Sequence, residues 1–165
     1  MNKLIKILPI PNNPVENIKM DININLPNDY IEFISIYGSG QIDFFLSIFN
    51  YASKNDFTPR DLILDDLQSI KIEQPDYCNF NVYPEKDGLY PFGQTDNGDY
   101  LLWKTAGNIN DWTVSIIECR SLEAQHTPYN FVDFLYLLLS KEVRYDAFPE
   151  DFPSEKIEFK PAWRI

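Results

Sequence analysis

The stretch Leu89-Tyr90-Pro91-Phe92-Gly93-Gln94-Thr95-Asp96-Asn97-Gly98-Asp99-Tyr100-Leu101-Leu102-Trp103-Lys104 decides the fold class. Asn97-Gly98 is a favoured hairpin pair because both residues tolerate positive φ, so the apolar segments on either side are expected to pair as antiparallel strands. Downstream, Ala106-Gly107-Asn108 marks a second turn. Trp112 to Cys119 is β-branched and alternating, which predicts a further strand. Upstream, Gln41 to Phe49 carries Ile42, Phe44, Leu46 and Ile48 at alternate positions and reads as one half-buried strand. Asp76 to Lys86, with Phe80 and Val82 ahead of an Asp87-Gly88 turn, is compatible with another. The centre of the chain is therefore a β-meander.

Helical signals bracket it. From Leu26 to Tyr37, the residues Tyr30, Phe33, Ile34 and Tyr37 fall at i, i+3, i+4 and i+7; Pro27 suits a first helical position and Gly38 a stop. Thr58-Pro59-Arg60-Asp61 reads as the start of a short second helix capped by Thr58, with Ile63, Leu67 and Ile70 at helical spacing. Asn130 is placed to cap a last helix. There Phe131, Phe134, Leu135 and Leu138 repeat the apolar stripe, and Asp133 stands three residues after the cap. Residues 1–25 are expected to be a loop-rich lead with an ordered piece near Val15 to Met20. Residues 143–165, with Pro149, Pro153 and Pro161, are expected to wrap the surface in extended form.

At 165 residues the chain fits a single domain, 1–165, with its core over about 26–140, and it holds enough apolar material (44%, with 12 Phe, 10 Tyr and 3 Trp) to build one core. Trp103, Trp112 and Phe92 are read as filling that core. No apolar run approaches the roughly 20 residues of a membrane helix. With two cysteines and no Asn-x-Ser/Thr sequon, the chain is expected to be cytoplasmic. Cys78, Cys119 and the single His126 lack the spacing of a zinc site, and Asp87, Asp96 and Asp99 do not follow EF-hand order, so no metal is expected. No phosphate-binding glycine loop is present and none of the residues near His126 makes a nucleophile motif, so no cofactor and no catalytic residue is assigned.

Charge carries more information. The net charge of −11 disfavours direct contact with nucleic acid or anionic membrane. Its distribution is uneven: residues 55–99 hold ten acids against three bases, whereas residues 1–54 and 100–165 stand at −1 and −3.

Three blocks, in this order, resemble the SUKH superfamily, the Smi/Knr-like domains that include many bacterial immunity proteins and a fungal cell-wall regulator. They are Leu26-Pro27-Asn28-Asp29-Tyr30-Ile31-Glu32-Phe33 with Tyr37-Gly38-Ser39-Gly40; Tyr90-Pro91-Phe92-Gly93-Gln94-Thr95 with Asn97-Gly98-Asp99-Tyr100-Leu101-Leu102-Trp103; and Trp112-Thr113-Val114 with Asn130 to Leu135. Where many members carry Asn-Gly-Gly after the first helix, this chain has Gly38-Ser39-Gly40. The resemblance implies an α+β fold, a curled and mainly antiparallel sheet flanked by helices, and a binding protein without established enzymatic activity. The expected function is an immunity protein that binds and neutralises a cognate, nuclease-type toxin. The alternative is a regulatory protein-interaction module; a small carboxylate-based hydrolase is a remote third. A basic toxin would meet the acidic middle of the chain, so the expected partner-binding residues are Asp61, Asp65, Asp66, Asp76, Tyr77, Glu85, Asp87, Asp96 and Asp99. Tyr83, Phe80 and Tyr90 are further aromatic candidates, and the chain is expected to act as a monomer or homodimer.

Overall fold

A computed structural model describes residues 1–11, 25–51, 59–121 and 123–162. The expected ordered piece near Val15 to Met20 and the Thr58 cap lie outside these residues. The elements are α1 (Leu4–Ile7), α2 (Asn28–Tyr37), β1 (Gly40–Ile42), β2 (Leu46–Ile48), α3 (Arg60–Glu73), β3 (Leu89–Thr95), β4 (Tyr100–Lys104), β5 (Thr113–Ile117), β6 (Ala124–His126), α4 (Phe131–Leu139) and β7 (Phe159–Pro161).

All seven strands form one open, curled sheet in the order β6-β5-β4-β3-β2-β1-β7, and every neighbouring pair is antiparallel. This is the α+β arrangement that the SUKH resemblance implies, built on the meander expected around the central hairpin. The hairpin turn itself differs from the expectation. Only Gly98 takes positive φ (91°); its N–H donates to Thr95 O (3.0 Å) and Thr95 N–H donates to Asp99 O (2.9 Å), a three-residue loop closed by a glycine bulge. Gly98 alone supplies the left-handed position, so Asn97 needs none.

Gln41 to Phe49 is not one strand. The chain reverses at Asp43 and Phe44, both at positive φ (49° and 54°), and Phe45 N–H donates to Ile42 O (3.0 Å). Alternation survives on both sides of the turn, which is why periodicity alone concealed it. A phenylalanine at positive φ is strained, and the C-terminal segment holds it there. Asp43 Oδ1 and Oδ2 accept from Glu158 N–H (2.8 Å) and Ser154 N–H (2.9 Å), and the Lys160 ammonium sits 3.2 Å from the Phe44 ring centroid. That tail is more than a surface wrap. Ala147, Phe148, Phe152 and Phe159 are buried, and β7 adds a strand beside β1.

The sheet is covered on both faces. Trp103 meets Tyr30 of α2 edge-on (ring centroids 4.8 Å) and also approaches Phe131 of α4, so its face lies under the α2–α4 pair. Tyr100, three residues earlier, points to the opposite face and donates its hydroxyl to Asp66 Oδ2 of α3 (2.8 Å). Hence Leu101, Leu102 and Trp103 in central β4 are all fully buried, as a strand packed on both sides requires.

Caps tie the helices together. The α4 N-terminus is doubly satisfied: Asn130 Oδ1 accepts from Asp133 N–H (2.8 Å), and Asp29 Oδ2, reaching over from α2, accepts from Val132 N–H (3.0 Å). Burial pushes the Asp29 carboxyl above the usual carboxylate range, against the opposing pull of the N–H groups of Val132, Tyr30 and Asp29 itself. Asn130→Ala is expected to cost about 1 kcal/mol, read as a lower urea midpoint at unchanged slope; an unchanged midpoint would show that Asp29 alone suffices to cap α4.

Candidate partner-binding site

Helix α3 is the scaffold of the acidic region. With fourteen residues it is the longest helix among those described, not the short one expected, and it buries Ile63 and Leu67 with Ile70 half-buried beside them. Its two bases are both spent on holding it in place. Arg60 donates to Asp61 (2.8 Å) and to the Tyr90 hydroxyl of β3 (3.3 Å), and its guanidinium lies 5.7 Å from the Tyr51 ring centroid. Lys71 pairs with Glu85 (2.7 Å) and donates to Asn81 Oδ1 (3.1 Å), tying the other end of α3 to the 81–88 loop. The Arg60 hydrogen bond holds the Asp61 carboxyl below the usual carboxylate range.

That loop forms a ridge rather than the strand read over Asp76 to Lys86; only Val82 makes a bridge, to Leu89. It closes on itself through Leu89 N–H to Asn81 O (2.8 Å) and Tyr83 N–H to Leu89 O (3.1 Å). Gly88 is required at its base: a Cβ there would stand 2.6 Å from Tyr83 N and 2.7 Å from the Val82 carbonyl carbon. The ridge crest is Tyr83-Pro84-Glu85, with a cis bond before Pro84.

Two shallow grooves flank the crest. One, of about 500 Å³, runs between α3 and the ridge and brings together Asp61, Asp65, Glu85 and Tyr83. The other, of about 450 Å³, lies on the far side and includes Glu85, Asp87 and Trp112. Trp103 is wholly buried as expected, whereas Trp112 is half-buried and lines this second groove.

The remaining expected residues are distributed around this centre. Asp66 is exposed on α3 and accepts from Tyr100, whose phenol is pushed up to about 12 by burial and then by that carboxylate. Asp76 and Tyr77 are exposed just past the α3 C-terminus. Asp96 is exposed at the β3–β4 turn and accepts from Gln41 Nε2 (3.3 Å). Asp99 stands apart: it is 4% exposed, accepting from the Thr95 hydroxyl (2.6 Å) and from Cys119 N–H (3.1 Å). Its carboxylate locks the hairpin to the end of β5 and is not presented to a partner. The expectation for Asp99 is corrected accordingly; aspartate at a turn looks alike in sequence whether it faces solvent or its own backbone.

Sequence reading missed Glu73, Leu62 and Ile72, all exposed on α3. The signal was available, because neither apolar residue falls on the stripe of Ile63, Leu67 and Ile70.

One arrangement bears on the hydrolase alternative. Ser115 Oγ lies 2.8 Å from His126 Nδ1 across the β5–β6 pair. Ser115 is fully buried, so its oxygen has no access to a substrate, and burial followed by the nearby Lys104 holds His126 below its usual pKa. No group of three or more His, Cys, Asp or Glu among the described residues is arranged to hold a metal ion, and no helix among them is long and apolar enough to cross a membrane.

A family model described as SMI1-KNR4 cell-wall, of the SUKH group, matches residues 12–135, three quarters of the chain. The chain belongs to the SUKH superfamily. The match takes in α2, the whole β1–β6 meander, α3 and the first part of α4, so the acidic helix and the ridge are part of the SUKH domain. No curated protein and no solved structure matches the chain. SUKH domains generally work by protein interaction rather than catalysis.

Proposed function

We propose that this SUKH domain is a cytoplasmic immunity protein that binds the basic face of a cognate toxin domain, of nuclease type, and thereby keeps the toxin from its substrate. The observation that carries the reading is the exposed acidic face of α3 beside the Tyr83–Glu85 ridge. Because Arg60 and Lys71 are engaged within the molecule, Asp65, Asp66, Glu73 and Asp76 present a net negative surface with aromatic residues alongside. A surface of that kind accelerates encounter with a cationic cleft and gives it anchors.

Co-expression with its cognate toxin domain is expected to restore growth to cells that the toxin arrests. In stopped-flow association at low salt, Asp65→Lys/Asp66→Lys is expected to slow binding about tenfold or more, while Glu150→Lys/Asp151→Lys on the C-terminal segment changes little. No rescue by the intact protein sinks the immunity reading; equal slowing by both pairs sinks the placement on α3.

The cell-wall description of the matching family favours a second reading, in which the same face docks a regulatory partner of the host cell. Growth rescue separates the two.

A further inference from the structure

Six large apolar side chains are exposed among the described residues: Ile10, Phe44, Leu62, Ile72, Tyr77 and Tyr83. Single exposed apolar residues are ordinary on any surface. Here four of the six lie between residues 62 and 83, on α3 and the segment that follows it. Leu62 and Ile72 are 64% and 71% exposed, and they share one row of the helix: Leu62, Asp65, Ser69 and Ile72 succeed one another at i, i+3, i+7 and i+10. The row runs about 15 Å along the helix axis, and Tyr77 stands 64% exposed a few residues beyond its end.

Helix α3 is thus amphipathic toward the core through Ile63 and Leu67, and carries on its outer side a row with an exposed apolar side chain at each end and Asp65 and Ser69 between them. We infer that this outer row of α3 is a docking face for a protein segment whose apolar side chains are flanked by lysine or arginine. The inference rests on the reading that the chain acts by binding a protein, and it names the chemistry of the contact.

Charge selects the occupant. Asp65 lies within the row and makes no ion pair among the described residues; Glu73 borders it. A second copy of the chain would bring like charges together, and nucleic acid or anionic lipid is repelled by the net charge of −11. A purely cationic partner would leave Leu62 and Ile72 in water. An amphipathic basic segment satisfies both features, with apolar contacts slowing release and charges speeding encounter.

The test uses the whole chain and two helical peptides of about five turns with equal numbers of lysines, one with leucine on its other face and one with glutamine there. The leucine–lysine peptide is expected to shift the backbone amide NMR signals of residues 60–77 and of Tyr83, and to bind at least about tenfold tighter than the glutamine–lysine peptide. Leu62→Ser/Ile72→Ser alters only exposed side chains, so its Tm should match the wild type, and it is expected to abolish the difference between the peptides. Equal affinity for both peptides, shifts on another face, or a double variant that still discriminates would each overturn the proposal. The peptide assay contains no toxin, so its failure and a failure of growth rescue are separate results.

Discussion

Trp103→Ala is expected to be the most damaging single change, costing about 3–5 kcal/mol. Trp103 is wholly buried at the centre of β4, with ring centroids 4.8 Å from Tyr30 and from Phe92, and 6.1 Å from Tyr90 and from Trp112. Alanine would leave a void walled by rings from α2, β3 and the β5 entry, which cannot all collapse into it because each is fixed by its own element. Trp103→Phe provides the contrast. The Trp103 Nε1–H is buried without a hydrogen-bond partner among the described residues, so phenylalanine removes an unsatisfied donor while keeping most of the aromatic contact. Urea titration should therefore rank the wild type above Trp103→Phe and both well above Trp103→Ala. If Trp103→Ala unfolded at nearly the wild-type midpoint, the account of this core would be wrong.

Tyr30→Phe is the second large effect, and its cause is polar. The Tyr30 hydroxyl donates to Phe49 O and accepts from Tyr51 N–H (3.3 Å), joining α2 to the end of the β1–β2 hairpin inside the core. Burial pushes this phenol far above its ordinary pKa, so it remains a neutral donor throughout the working range. Removing one oxygen strands a buried carbonyl and a buried N–H, at about 2 kcal/mol. For a chain of this size that is roughly 4–8 °C in Tm. A melt within about 1 °C of the wild type would mean that other groups take over both bonds.

The two variants separate what local sequence reveals from what it hides. The stripe of Tyr30, Phe33, Ile34 and Tyr37 and the cap Asn130 were legible because helical spacing and capping are local properties, and each appears in the structure as read. The split of Gln41–Phe49 was not legible, since a turn that places Phe44 at positive φ is held by Asp43 gripping residues 154 and 158, more than a hundred positions away. The course of the tail is hidden from local sequence for the same reason. Its prolines suggested an exposed wrap, but Phe159 finds Phe33 and Tyr37 only once β7 has joined the sheet.

At the candidate site the division is finer. Composition alone placed the acid excess in residues 55–99, and helical spacing alone puts Asp65 on the side of α3 away from Ile63 and Leu67. Tertiary structure decided which acids stay available: Asp61 and Glu85 are drawn into ion pairs, Asp99 is buried into its own hairpin, and Asp65, in the row of Leu62 and Ile72, makes no ion pair among the described residues. The sequence by itself determined the helix-flanked β-meander and its negative charge, because spacing, turn residues and composition act within a few positions along the chain. Which charges face outward depends on which bases and backbone N–H groups are brought within about 3 Å of each carboxylate, and only the packed chain decides that.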